Sequence, residues 1–273
     1  MGTAAQEVAP LRLVTFSSDY GPTDEYVGVC HLVITRIAPD CRVVDLAHGI
    51  KGIRAGATIL AQSVVHAPEG SVHLAVVDPG VGTDRRGLAI VCRRGDVLVG
   101  PDNGLLPPAA DVLGGAADVY ELTEPRYRLE PVSSTFHGRD VFAPAAAHLA
   151  TGVRAAELGD GVDVDALVRL PGSLVGVSPG RLESDVTRTD WYGNLQLAAT
   201  GDDLARACLG PVATVGCEAG EFTARVGRTF ADAEPGELVV YVDSGDHVAI
   251  ASNGGSARER LQDPERVVVT AKT

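Results

Sequence analysis

The sequence predicts an α/β protein built from two domains. Up to about residue 170, short runs of Val, Leu and Ile alternate with longer segments of helical periodicity, which is typical of α/β folds. From about residue 175, short strands are separated by Gly, Asp and Thr. We therefore expect an N-terminal, mostly parallel α/β sandwich over residues 1–172 and a small C-terminal all-β barrel over residues 173–273. The length of 273 residues, 45% of them hydrophobic, suffices for both cores.

Charge and hydropathy limit the partners of the chain. With 36 acidic and 23 basic residues, the net charge of −13 repels nucleic-acid phosphates and anionic membrane surfaces. Every apolar run is shorter than the roughly 18 residues that a membrane-spanning helix needs. We expect neither a nucleic-acid nor a membrane partner.

The N-terminal residues and the cysteines indicate a cytoplasmic protein. Residues 1–12 lack the basic start and apolar centre of a secretory signal, so we interpret them as a frayed tail. The five cysteines form an odd set with no C-x-x-C motif and no zinc-ligand spacing. We expect all of them to be reduced, as in cytosolic proteins.

The first domain is predicted to contain five strands and three helices. The strands fall at residues 11–16, 42–46, 72–77, 87–92 and 96–100, and the helices at 23–37, 53–66 and 141–150. Thr23 is the predicted cap of the first helix, and Pro39 stops it. Arg93-Arg94-Gly95 predicts an antiparallel hairpin between the last two strands.

The second domain is predicted to contain short strands only. They fall near residues 180–185, 194–199, 221–226, 238–242, 247–251 and 266–270. The sequence contains no internal repeat.

Polar loops follow the first three strands, at residues 17–21, 45–49 and 78–86. Ligands of open α/β sheets bind beyond the carboxyl ends of the strands, so these loops are the place to search for chemistry. Asp19 comes just after the first strand. Its carboxylate could cap the following helix or hold the paired hydroxyls of a ribose, and the sequence leaves both open.

Three further residues could act together. The loop 78–86 matches neither G-x-G-x-x-G nor the P-loop, which disfavours a phosphate cradle. Asp78 and Arg85 could form a bidentate pair that either staples this loop or orients a third group. His137 lies in a glycine-containing, non-periodic loop, which favours proton handling or water orientation over core packing. No G-x-S-x-G nucleophile motif is present.

Metal binding is the competing interpretation of these loops. Several side chains could gather around a cation: Asp19, Asp24, Asp45, His48, Asp78 and His137. Their spacing matches no zinc motif, so we expect no metal.

The second domain contributes an aromatic turn, Asp190-Trp191-Tyr192-Gly193-Asn194. Two aromatics beside polar groups suit stacking on a flat heterocycle with hydrogen bonds to its edge. An amphipathic corner plug of the barrel is the alternative.

Seven segments, in this order, resemble the family of S-adenosylmethionine (SAM) hydroxide adenosyltransferases, fluorinases and chlorinases. They are Ser18-Asp19-Tyr20-Gly21, Val43 to His48, Val76 to Thr83, Gly100 to Leu105, Thr135 to Asp140, Tyr192-Gly193-Asn194, and Asp243-Ser244 with Asn253. The most specific runs are 77–83 and 136–140. The resemblance covers residues 14–255 and implies an α/β domain followed by a β-barrel.

The resemblance implies hydrolysis of SAM to adenosine and methionine by an oriented water that attacks the 5′ carbon, with no cofactor. The water-positioning triad of the family falls on Asp78, Arg85 and His137. The implied substrate-binding residues are Asp19 at the ribose, Asp190 and Ser244 at the methionine amine, Tyr192, Asn194 and Phe230 around adenine, and Phe136 and Asn253 nearby. The family also implies a homotrimer with its sites between subunits.

Two differences from the halogenases favour water as the nucleophile. The halogenases carry a tyrosine where Asp78 stands, and they have an extra loop that is missing between Val91 and Val97. A carboxylate repels a halide but accepts a proton from water. The other differences are Ile53 in place of an aromatic over the ribose, Trp191 where a basic residue or a longer turn is expected, and Gly245 in place of the arginine after the serine. A metal-dependent hydrolase and a nucleoside-binding protein without turnover are the alternative functions.

Overall fold

The chain folds into two compact units, one ending at Leu170 and the other beginning at Pro171. The computed structural model describes residues 13–272, so the expected tail at residues 1–12 lies outside the described part. No helix within residues 13–272 is long and apolar enough to cross a lipid bilayer.

The first unit alternates strands and helices as the sequence predicts. Its strands are β1 (Leu13–Ser18), β2 (Arg42–Ala47), β3 (Val72–Val76), β4 (Gly87–Cys92), β5 (Val97–Pro101), β6 (Ala116–Glu121) and β7 (Gly161–Val162). Its helices are α1 (Tyr26–Ile37), α2 (Ile53–Val64), α3 (Pro107–Val112) and α4 (Ala143–Ala150). The sequence does not predict β6, β7 and α3, because their apolar residues show no clear periodicity.

The strands of this unit form one mixed sheet in the order β2-β1-β3-β5-β4-β6-β7. The pairs β1–β2, β1–β3 and β3–β5 are parallel. The pairs β4–β5, β4–β6 and β6–β7 are antiparallel, which confirms the predicted hairpin and extends it.

Helices cover both faces of this sheet, because alternate side chains of a strand point to opposite faces. Val14 and Phe16 of β1 belong to a buried cluster with residues of α1 and α4. Ala75 of β3 belongs to a second cluster with residues of α2 and α3. Two separate cores therefore fix the sheet between helix layers, as the predicted α/β sandwich requires.

Two helices begin later than predicted. Residues 22–25 form a turn, so α1 starts at Tyr26 and the predicted cap at Thr23 is wrong. The Asp24 carboxylate turns toward Gly21 rather than toward the helix. The helix predicted at residues 141–150 also begins later. Residues Gly138–Phe142 form a wider π-helical turn, and α4 starts at Ala143.

The second unit is the predicted barrel. Its strands are β8 (Val175–Ser178), β9 (Arg181–Thr189), β10 (Leu195–Thr200), β11 (Val212–Cys217), β12 (Gly220–Val226), β13 (Leu238–Val242), β14 (His247–Ser252) and β15 (Arg266–Ala271), and its helices are α5 (Gly201–Ala207) and α6 (Ala257–Leu261). Pairing of β9 with β10 closes the series β10-β14-β13-β12-β11-β15-β9, and β8 pairs with β9 outside it. The sequence does not predict β8, β11 or the two helices.

The barrel interior is filled by alternate residues of its strands. Leu195, Leu197, Val240 and Ile250 belong to one buried cluster. The residues between them, such as Gln196 and Tyr241, therefore face outward. This outer face carries polar groups that enter the candidate site below.

A buried polar chain links β1, β3 and the turn before β5 in the first unit. The Thr15 hydroxyl lies 2.8 Å from His73 Nδ1, and His73 Nε2 lies 3.2 Å from an Asp96 carboxylate oxygen. Because a carboxylate only accepts, Nε2 carries the ring proton and Nδ1 accepts from Thr15. Arg94 donates to Asp96 over 2.7 and 2.9 Å. Burial lowers the pKa of His73, and its hydrogen bond to Asp96 only partly opposes that shift.

This chain predicts an acid-sensitive stability of the first unit. The unfolded state binds a proton at His73 near the ordinary pKa of 6.5, whereas the folded state does so only at lower pH. The free energy of unfolding that the neutral His73 contributes is therefore fully present well above pH 6.5. It is lost as the pH falls below that value, by at most about 1.4 kcal/mol per pH unit for this group. We expect His73→Gln to make that decline shallower. The free energy of exchange of the β1 and β3 amides, measured across this range, checks it.

His137 and His148 also have pKa values lowered by burial and are unchanged in the variant, so part of the decline must remain. An identical decline in both proteins would show that His73 does not carry the effect.

Candidate active site

Two carboxylates meet where β1 and β3 end. These strands are parallel neighbours, so their carboxyl ends lie at the same edge of the sheet. Asp19 follows β1 directly, and Asp78 stands two residues beyond β3. The backbone N–H of Asp78 donates to Asp19 Oδ2 over 2.9 Å. The Asp19 side chain therefore faces the Asp78 loop, and the cap hypothesis for Asp19 is wrong because α1 has no side-chain cap.

Burial makes Asp19 easier to protonate than an ordinary aspartate. Desolvation raises its pKa, the nearby charge of Asp78 adds to this, and two backbone hydrogen bonds oppose it. A ligand that donates hydroxyl groups to the carboxylate would replace part of the hydration that burial removes.

Arg85 clasps the Asp78 carboxylate. Its Nε donates to Oδ1 over 2.9 Å and to Oδ2 over 3.1 Å, and its Nη2 contacts Oδ2 as well. The guanidinium carbon lies 5.0 Å from the centre of the Phe142 ring, which gives the charge an aromatic support. Both side chains of the ion pair are nearly buried.

The same guanidinium reaches His137. Arg85 Nη2 lies 2.8 Å from His137 Nδ1, across 52 positions of sequence. An arginine only donates, so Nδ1 accepts and the neutral ring carries its proton on Nε2. The Asp78–Arg85 pair therefore does more than staple its loop, since it also fixes the orientation and tautomer of a third group.

The electrostatic surroundings keep His137 neutral. Burial lowers its pKa, the Arg85 charge lowers it further, and Asp78 partly opposes both. At neutral pH the ring therefore presents an N–H donor at Nε2.

A close approach of two loops places Arg85 beside His137. Gly82 has φ +78°, and a Cβ there would lie 2.2 Å from the backbone oxygen of Ser134. Asp140 secures the second loop by accepting a hydrogen bond of 2.8 Å from the Ser133 amide. Only glycine fits position 82, because it combines a positive φ with a backbone contact.

Aromatic rings form one wall beside these groups. Phe136 makes edge contacts with Tyr20 and Tyr26, with ring centres 5.6 and 5.1 Å apart. Gly138 lets the Tyr20 hydroxyl approach, since a Cβ there would lie 2.0 Å from it. Phe136 is thus held by packing next to His137, where the substrate-binding role expected for it remains a prediction.

The histidine and acidic residues considered for metal binding separate into different groups. Asp45 lies 2.8 Å from His31 and 3.2 Å from His48, and His48 Nδ1 lies 2.7 Å from the Ser18 hydroxyl. Across residues 13–272, no group of three or more His, Cys, Asp or Glu side chains has an arrangement that could hold a metal ion.

In the second unit, Asp190 organises the aromatic turn. Its Oδ1 accepts from the amides of Tyr192 and Asn194, both over 2.9 Å, and its Oδ2 accepts from Asn194 Nδ2 over 2.8 Å. Trp191 and Tyr192 are 95% and 76% exposed, so neither plugs a corner of the barrel. The carboxylate keeps acceptor capacity for a ligand.

The remaining candidate residues of this unit lie on neighbouring loops. Phe230 packs against Tyr241 with ring centres 5.2 Å apart. Asn253 Nδ2 donates to the Ala233 carbonyl over 2.7 Å and so secures the loop that carries Phe230. Ser244 is exposed on the loop after β13.

Tyr241 packs against Phe230 and is affected by the charges of two nearby loops, although the sequence did not single it out. Burial raises its pKa, and the charges of Asp190 and Asp243 add to that shift, so the phenol lies near both carboxylates. Gln196 was missed as well, although its Nε2 donates to Asp243. The available signal was a polar or aromatic residue at an outward position of an otherwise apolar strand.

The loop contact predicts an unusual cost of a methyl group at Gly82. Gly82→Ala is expected to lose about 1–2 kcal/mol from the positive φ and a further 1–3 kcal/mol from the clash with Ser134. Gly70→Ala is the matched control, because Gly70 has φ +76° and nothing within 4 Å of a Cβ. Hydrogen exchange of the sheet amides gives both free energies. Equal losses in the two variants would contradict the loop contact.

Comparison with known proteins agrees with this architecture. The family model of the SAM hydroxide adenosyltransferase N-terminal domain matches residues 14–159, and that of the C-terminal domain matches residues 184–267. The crystal structure of an uncharacterized conserved protein from Thermotoga maritima has a TM-score of 0.86 at 31% identity, over 94% of this chain and 99% of that one.

Named relatives fall into two groups. An (R)-S-adenosyl-L-methionine hydrolase of Salinispora arenicola is 46% identical over 253 residues, which is 91% of this chain and 93% of the relative. A fluorinase of Actinopolyspora mzabensis is 28% identical over 274 residues, which is 89% of this chain and 91% of the relative. With both of its units matched, the chain belongs to the SAM hydroxide adenosyltransferase family.

Proposed function

We propose that this chain hydrolyses SAM to adenosine and methionine by attack of water on the 5′ carbon of the adenosyl group. The observation that carries the proposal is the contact of one guanidinium with both Asp78 and His137 at the carboxyl edge of the sheet. The hydrolase relative supports the same reaction.

The reaction needs a positioned nucleophile more than an acid. The water oxygen forms a bond to C5′ while the bond from C5′ to sulfur breaks, and the electron pair leaves with sulfur. The positively charged sulfonium becomes the neutral thioether of methionine, and one proton of the water is released. Since the leaving group carries no negative charge, no proton donor is required at sulfur.

Asp78 and His137 have complementary roles toward this water. His137 Nε2–H donates to the oxygen, and a free lone pair of the Asp78 carboxylate accepts one of its hydrogens. Asp78 is therefore the proton acceptor, because His137 Nδ1 is occupied by Arg85. Orientation of the water in line with the breaking bond can contribute on the order of 7–11 kcal/mol in favourable cases.

Substrate recognition is divided between the units. We assign the ribose hydroxyls to Asp19, whose partly buried carboxylate accepts the backbone N–H of Asp78 through Oδ2. Phe136 lies beside the reacting groups as an apolar wall. In the second unit, the methionine amine is assigned to Asp190 and Ser244, and the adenine surroundings to Tyr192, Asn194, Phe230 and Asn253.

Water fits this site better than a halide does. A halide placed beside Asp78 would meet an unfavourable like charge, whereas water gains an acceptor there. A nucleoside-binding protein without turnover would not need a charge-clasped carboxylate beside a neutral histidine. We propose that the reaction uses no metal and no other cofactor, since the steps above are supplied by side chains.

Two further properties are part of the proposal. The name of the relative specifies the (R) configuration, and we propose that this chain also acts on the (R) sulfonium epimer. We also propose a cytoplasmic location, which is supported by five free cysteines, two of them buried.

Hydrolysis is tested by incubating the purified chain with SAM of mixed sulfonium configuration. We expect equal amounts of adenosine and methionine, with the (R) epimer consumed. Asp78→Asn and His137→Ala should each lower kcat by about 100-fold or more and leave KM nearly unchanged, because both residues act on the water. Chromatography of the products and steady-state kinetics measure these effects.

Reactions with a chelator, and with added fluoride or chloride, are the controls. Loss of activity that added metal restores would refute the metal-free reaction, and a halogenated adenosine would refute the choice of water. No products at all, with SAM bound, would favour the nucleoside-binding alternative.

We propose further that the active assembly is a homotrimer. The water-positioning residues belong to one unit and the amine and adenine residues to the other, so a complete site must combine both sets. Sharing between the first unit of one subunit and the second unit of the next would close a ring through head-to-tail contacts.

Mixed assemblies test this arrangement. Asp78→Asn damages the first unit and Asn194→Ala the second, so each variant alone should have low activity. Refolding the two together should restore part of it, because some interfaces then combine two intact halves. Light scattering reports the subunit number. Mixed assemblies without restored activity, or an active monomer, would contradict the shared site.

A further inference from the structure

Arg188, on the wall of the barrel, carries a positive charge that has no part in the roles proposed above. Arg188 lies on β9 and is partly buried, and its Nε donates to Gln196 Oε1 over 2.9 Å. No residue within the described range 13–272 makes a hydrogen bond or ion pair with its two Nη groups. Most arginines of this acidic chain have a carboxylate partner, so an outer guanidinium edge without one is available to an anionic ligand.

The strand register places Arg188 on the outer face of the barrel that Tyr241 also occupies. Arg188 is paired with Gln196, Gln196 with Ala249, and Ala249 with Tyr241, so the four residues form one row across β9, β10, β14 and β13. Paired residues of neighbouring strands point to the same face. Arg188 therefore shares the outer face with Tyr241, against which Phe230 packs.

Gln196 also links Arg188 to the loop that carries Ser244. The Gln196 amide accepts from Arg188 and donates to Asp243. The other oxygen of Asp243 accepts from the amides of Gly245 and His247, over 2.8 and 3.0 Å. The Asp243 charge is thus satisfied by neutral donors, and Gln196 separates it from the guanidinium.

The chemistry of the substrate requires such a group. The methionine part of SAM ends in an ammonium and a carboxylate on one carbon. The ammonium suits Asp190, which follows β9 directly and has acceptor capacity left. Arg188 stands two positions earlier, and residues spaced by two point to the same face of a strand, about 7 Å apart. One amino-acid group can reach both side chains.

We propose that Arg188 binds the α-carboxylate of the methionine part of SAM. The assignment rests on the proposed function, and it accounts for a chain that has Gly245 after Ser244 and Trp191 after Asp190, with no cation at either position. Gln196 is then a positioning residue, because it fixes the guanidinium through Nε and leaves the outer edge free.

Decarboxylated SAM separates this role from a structural one, because it has the sulfonium and the amine but no carboxylate. Both compounds are compared in the (R) sulfonium configuration. The wild-type chain should prefer SAM over the decarboxylated compound by about 10- to 100-fold in kcat/KM. Arg188→Met should lower kcat/KM for SAM by a similar factor, mainly through KM, and leave the decarboxylated compound almost unaffected. Arg188→Lys should recover part of the preference, since it restores charge without the planar fork.

Arg181→Met is the matched control, since Arg181 is an exposed arginine at the other end of β9 that pairs with Glu183. It should change neither substrate. Equal losses for both compounds in Arg188→Met would assign Arg188 a structural role and overturn the proposal, as would an unchanged preference for SAM.

A binding measurement distinguishes failure of this proposal from failure of the proposed function. If the wild-type chain hydrolyses neither compound, calorimetric binding of SAM and of decarboxylated SAM makes the same comparison without turnover. A preference for SAM that Arg188→Met abolishes would then support the carboxylate site alone. Binding of neither compound, or no preference between them, would reject it.

Discussion

The candidate site depends on one planar cation. Arg85 is the group that touches both Asp78 and His137, and its five donors let it clasp the carboxylate on one edge while it donates to the imidazole from another. A lysine would offer a point charge on a flexible stem and could not fix two partners at once. Because the guanidinium can only donate, it also determines which ring nitrogen of His137 carries the proton. Its support on Phe142 and the glycine contact between the two loops serve to keep it in place.

Burial gives this arrangement its chemical character. Taking charged groups out of water is costly unless they are paired and hydrogen-bonded, and the first unit meets that requirement with the ion pair of Asp78 and with backbone donors to Asp19. The same burial raises the pKa of Asp19 and lowers that of His137. The Asp78 carboxylate held by Arg85 and the neutral His137 ring thus place an acceptor and a donor side by side, which suits a water molecule better than an anion.

The candidate site residues lie in different parts of the two folds. In the α/β unit, the residues proposed to position the water lie on loops beyond parallel strands, where the chain must turn and backbone groups are free to bind. In the barrel, a row of outward residues crosses four strands and ends beside two loops. Such a wall is rigid, because each residue of the row is held by strand pairing, and it suits recognition of a ligand with several distinct polar groups.

The sequence by itself determined the fold class, the two-unit organisation and most strand positions, because hydrophobic periodicity and turn residues act over short distances. The resemblance of its motifs indicated the family. The sequence also singled out Asp78, Arg85 and His137, but it left open whether the first two only staple a loop. Tertiary structure decided that Arg85 reaches His137, since the approach of Gly82 to Ser134 brings together loops that are distant along the chain. It likewise decided that Arg188 lies beside Gln196 and in one row with Tyr241. That row exists through strand register, which depends on how separate strands pair, and no local pattern of residues encodes it.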